Sequence, residues 1–101
     1  MNTQDLVVSY INVLKEAGVK VEEAYMFGSH VKGNFWEGSD VDVCVLSSDF
    51  ATDYDKWSQK LDRLTLKVDS RIEPVLFTRE EFENKYDALA GEIKRFGLRV
   101  A

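Results

Sequence analysis

The chain has 101 residues, 45% of them hydrophobic and 12% aromatic, enough for a single domain over 1–101 with its own core. Its lone cysteine excludes an intramolecular disulfide framework, and no apolar run approaches the ~20 residues of a membrane span. The 13 Lys and Arg are scattered against 18 Asp and Glu, a net charge of −5, which argues against a grip on nucleic acid.

The opening MNTQDLVV lacks the basic and long apolar regions of a signal peptide, so a soluble cytoplasmic protein is the expectation. Residues 3–17 predict an amphipathic helix, because Leu6, Val7, Tyr10, Ile11, Leu14 and Ala17 recur at spacings of three and four. Thr3 is the expected cap of this helix and Gly18 the residue just past its end. A first strand is expected from Glu23 to Phe27, followed by a short helical turn over 29–34. Phe35 and Trp36 are expected to fold back onto the core, the alternative being that they stack on a base or face a partner.

Asp40 to Leu46 reads as the second strand, and Cys44 within it as a buried thiol. Residues 53–66 predict a helix with Tyr54, Trp57, Leu61 and Leu64 on one face and Thr52 or Asp53 as its cap. Ser70 to Phe77 is the third expected strand. Pro74 has no N–H to give, which sends that strand to an edge or to irregular pairing. Thr78-x-x-Glu81 is a capping box, opening one helix that carries Phe82, Tyr86, Leu89 and Ile93 on one face and stops at Gly97. Leu98 to Val100 adds a short terminal strand.

The chemistry concentrates between Phe27 and Leu46. Strand side chains alternate faces, so Asp40 and Asp42 point one way while Val41, Val43 and Val45 point the other, into the core. Two like charges on one face repel unless something positive sits between them. Hard carboxylate oxygens suit Mg²⁺ or Mn²⁺, and Mg²⁺ takes one or two carboxylates plus substrate phosphates. Gly28 lets the backbone approach a ligand, and the Ser29 hydroxyl with nearby amides suits a phosphate. The competing reading is a Gly-rich hairpin whose aspartates are turn or edge-strand charges.

Gly28-Ser29, ten residues, then Asp40-x-Asp42, with Gly33 inside and Ser39 just before the pair, resembles the minimal nucleotidyltransferases of the DNA polymerase beta superfamily. The resemblance implies an α/β fold: a small, mixed, twisted sheet of three or four strands with helices mainly on one face. It implies nucleotidyl transfer, with Asp40 and Asp42 holding two metal ions and Gly28, Ser29, Lys32 and Ser39 holding the nucleotide. His30, like Lys32, stands where relatives are often basic. A third acid on a neighbouring strand is required as metal ligand or base; Glu73 is the choice and Asp69 the runner-up, although many relatives carry Asp there. Larger relatives bind the acceptor with a second domain, so the resemblance implies a separate partner. By the same resemblance the expected partner is a HEPN-domain toxin, with this chain as antitoxin transferring AMP from ATP to a tyrosine, or a second copy of the chain. The alternatives are a non-catalytic binding module and a small-molecule nucleotidyltransferase.

Overall fold

The computed structural model describes residues 2–33, 36 and 38–101. The chain runs α1 (Thr3–Glu16), β1 (Glu23–Phe27), α2 (Ser29–Lys32), β2 (Val41–Leu46), a 3₁₀ turn (Ser48–Ala51), α3 (Tyr54–Thr65), β3 (Ile72–Phe77), α4 (Arg79–Glu83), α5 (Ala88–Phe96) and β4 (Leu98–Arg99). The four strands form one mixed sheet in the order β3-β2-β1-β4. β1 is antiparallel to β2 and β4, whereas β2 and β3 are parallel. β3 lies at an edge, where Pro74 costs no ladder bond to a further strand. Among the described residues no helix is long and apolar enough to cross a membrane.

In-register neighbours share a face, and this divides the sheet cleanly. Ala24, Met26, Val41, Val43, Val45, Ile72 and Leu76 meet the stripe of α1 and Leu61 of α3 in the larger core. Tyr10 anchors this layer, its hydroxyl donating to the Leu61 carbonyl at 2.7 Å. Burial of that hydroxyl, reinforced by Asp62, pushes its pKa far above the usual tyrosine range. The opposite face carries Phe27, Cys44, Leu46 and Phe77 against Phe82 of α4 and Ala90 and Ile93 of α5. The two long helices thus share one face, as expected. The short pair α4 and α5 adds a second core, which buries Cys44 and pushes its thiol up to about 12.

Three local expectations are corrected. Asn2 caps α1, its side chain accepting from the Asp5 amide at 2.8 Å, because the Thr3 hydroxyl is engaged by His30. The single helix expected after Thr78 is two: Asn84 accepts from the Tyr86 amide and Asp87 caps α5 by accepting from the Ala90 amide. Short polar side chains that bond local amides compete with the helix, and here two of them end it and restart it. Tyr86 consequently leaves the apolar face and is 84% exposed. The capping box itself forms in full. Asp53 stands at the start of α3 in a left-handed conformation and makes no side-chain cap.

Candidate functional site

The site grows from the junction of β1 and α2. Gly28 ends β1 at φ 81° and ψ −152°, a backbone region essentially open to glycine alone. A Cβ there would also run into Oδ2 of Asp42. The glycine is therefore required twice, once by its dihedrals and once by the close approach of β2. α2 then turns the chain over the end of the sheet and stops at Gly33, again left-handed.

Asp42 pairs in register with Phe27 on one side and Glu73 on the other. A bond from the Val41 amide to the Arg71 carbonyl (2.8 Å) fixes this register where the parallel pair begins. Glu73 thus faces the same side of the sheet as Asp42, beyond the end covered by α4 and α5. Asp40 precedes β2 and is exposed, while Asp42 is half-buried. Burial raises the Asp42 pKa, and the charges of Asp40 and Glu73 raise it further; His30 opposes them. Among the described residues Glu73 makes no salt bridge.

The runner-up acid has another task. Asp69 accepts from the Arg71 amide at 2.8 Å and from its guanidinium at 2.8 Å, and that pairing holds its carboxyl below the usual range. It shapes the turn into β3 rather than extending the acidic row.

Ser29, Trp36, Gly38, Ser39, Asp40 and Asp42 line an open depression of about 580 Å³. Trp36 is 71% exposed there, which corrects the expectation that it folds into the core. Its ring lies over Gly38, where a Cβ would strike it. Phe35 lies outside the described residues. Ser39 is buried and closes the turn: its hydroxyl accepts from the Trp36 amide at 2.9 Å and its amide donates to the Trp36 carbonyl at 2.9 Å.

His30 braces the same loop, with Nδ1 3.0 Å from the Thr3 hydroxyl and Nε2 3.3 Å from the Ser39 carbonyl. A carbonyl only accepts, so Nε2 carries the proton in that contact. Lys32 is not in the depression. Its ammonium pairs with Glu92 at 2.8 Å, a residue of α5 that the sequence reading did not single out. No local pattern marks Glu92, because the contact spans 60 residues of chain.

The donor set suits a hard cation. Among the described residues no three His, Cys, Asp or Glu side chains stand as a ready ligand set. Mg²⁺ does not require one, since it completes its shell with substrate phosphates and water. The half-buried Asp42, pressed by Asp40 and Glu73, is a concentration of negative charge that a cation would relieve.

A Gly-Ser turn closed over an acidic row, at the end of a small mixed sheet, is the candidate site of this α/β domain. The chain belongs to the nucleotidyltransferase domain family, whose model matches residues 8–96, and its enzyme class is nucleotidyltransferase. Two similar proteins of Methanocaldococcus jannaschii bear the name "putative protein adenylyltransferase". MJ0141 is 31% identical over 85 residues, covering 80% of each chain. MJ0604 is 26% identical over 86 residues, covering 84% of this chain and 83% of its own. Among solved structures, a toxin–antitoxin with AMP-PNP superposes with a TM-score of 0.68 at 22% identity, over 97% of this chain and 72% of that one. The MntA–HepT toxin–antitoxin superposes at 0.56 and 21% identity, over 98% of this chain and 69% of that one. At that level of identity these two show that the fold is shared.

Proposed function

We propose that this chain transfers AMP from ATP to a hydroxyl of a partner protein. In this reading Asp40, Asp42 and Glu73 hold Mg²⁺ or Mn²⁺, and Gly28 and Ser29 receive the β- and γ-phosphates. When bound, the metal neutralises phosphate charge and stabilises the oxygens that attack and leave. The acceptor oxygen forms a bond to the α-phosphorus, the bond between the α-phosphorus and the bridging oxygen breaks, and pyrophosphate departs. The acceptor's proton passes to the Glu73 carboxylate when that carboxylate acts as base. Trp36, exposed at the rim, offers an indole plate for the base.

The observation that carries this reading is the row Phe27–Asp42–Glu73, with the Gly28 backbone closed over Asp42. The protein adenylyltransferase names of the relatives favour AMP and a protein acceptor. The toxin–antitoxin neighbours favour a toxin as that acceptor; the HEPN class and a tyrosine as its modified residue are what the resemblance of the Gly-Ser and Asp-x-Asp motif to the minimal nucleotidyltransferases implies. The test is incubation with α-labelled ATP and Mg²⁺, alone and with the product of the neighbouring gene, followed by mass spectrometry of the label. The expected result is AMP on a tyrosine of that product, abolished by Asp40→Asn with Asp42→Asn. Undiminished labelling by the double variant overturns the assignment of the metal site.

A further inference from the structure

Lys32 ends α2, four residues after Gly28, but it does not line the depression. It is held from α5: Glu92 Oε1 accepts from Nζ at 2.8 Å, and Nζ lies 5.8 Å from the centroid of the Phe96 ring. Both partners of the ion pair remain open to solvent, with side chains 45% and 40% exposed. An exposed pair of this kind shifts an equilibrium only about 1.5- to 5-fold, so it does little for the fold and is easily undone. Glu92 is also close enough to the acidic row for its charge to act on Asp42. A triphosphate entering beside Ser29 and Asp42 would carry more negative charge than one carboxylate. The flexible four-carbon stem of lysine lets the ammonium follow it.

We propose that Glu92 is a positioning residue for the nucleotide: it parks the Lys32 ammonium beside Phe96, and an arriving triphosphate draws that ammonium away from it. The proposal rests on the reading that Gly28, Ser29 and the Asp pair bind a nucleoside triphosphate. Separating Lys32 from Glu92 then opposes binding, so the resting pair sets the nucleotide affinity below what the phosphate-binding groups alone would give.

Calorimetric titration of the full chain with ATP and Mg²⁺ tests this in four variants. Glu92→Gln should tighten the ATP Kd about two- to fivefold, the range of an exposed pair. Lys32→Ala should weaken it. In the Lys32→Ala background the Glu92→Gln change should no longer tighten binding, a coupling that a merely structural glutamate would not produce. Asp42→Asn reports separately on the underlying reading by removing the Mg²⁺-dependent part of binding. If the wild-type chain binds ATP but Glu92→Gln leaves the Kd unchanged, the positioning role is overturned. It is equally overturned if the tightening persists without Lys32. If the wild-type chain does not bind ATP, or Asp42→Asn binds it as well as wild type, the reading of the site fails and the proposal falls with it.

Discussion

Asp42 is a carboxylate kept half-buried among other acids, and its protonation is tied to folding. Its pKa is raised in the folded chain, first by burial and then by Asp40 and Glu73. A raised carboxylate pKa means that the folded state binds the proton more tightly than the unfolded state does. Stability therefore falls as pH rises through the interval from the ordinary value, 3.8, to the raised one, and the penalty is present in full above the raised value. Asp42→Asn should accordingly raise the denaturation midpoint in metal-free buffer at pH 7, with the gain vanishing below the ordinary value. Urea titrations at both pH values, with and without Mg²⁺, check this; Mg²⁺ should stabilise the wild type and not the variant. Gly28→Ala should act in the opposite sense. Its dihedrals alone cost about 1–3 kcal/mol for a residue with a Cβ. The added methyl also displaces the Asp42 carboxylate, so activity should be lost together with several degrees of melting temperature.

At the level of elements, the parallel pairing of β2 and β3 brings Glu73 to Asp42, and a slip of one residue would turn it to the other face. Glu73→Gln keeps the size and the register but removes charge and basicity. With Glu73 as base or metal ligand, transfer should fall by roughly 10²–10⁴-fold while ATP binding largely survives. Unchanged turnover would leave Glu73 an ordinary edge-strand acid and remove it from the proposed site. The restart of the chain at Asp87 is a second element-scale feature. Its carboxylate caps α5, and α5 carries both Ile93 of the second core and Glu92, the partner of Lys32. Asp87→Ala should cost about 0.5–2 kcal/mol, seen as faster amide exchange in the first turn of α5.

Across the whole molecule, exposed apolar side chains lie along α5 and into β4: Leu89 at its start, Phe96 at its end and Leu98 just beyond, with a groove of about 600 Å³ along α5 lined by Leu89, Glu92 and Phe96. Surfaces of this kind more often mark interfaces than isolated exposed residues do. Light scattering after size exclusion should give a mass above that of one chain, or a stable complex with the neighbouring gene product. A strict monomer that ignores that product would argue against a partner at this face.

The sequence made the short-range features legible: the stripe of α1, the three main strands, an edge place or irregular pairing for the Pro74 strand, the capping box, and the Gly-Ser and Asp-x-Asp pair. These are set by periodicity and by backbone rules that act within a few residues, so they could be read without neighbours. It did not reveal that α4 and α5 are separate, because Asn84 and Asp87 outweigh an apolar spacing that runs straight through them. It took the packed structure to show that the face bearing Asp42 also carries a buried core and that Trp36 stays exposed. Only it placed Glu73 beside Asp42 and Glu92 on Lys32. Strand order, register and ion pairing between distant segments depend on which surfaces bury one another, and no local pattern encodes that choice.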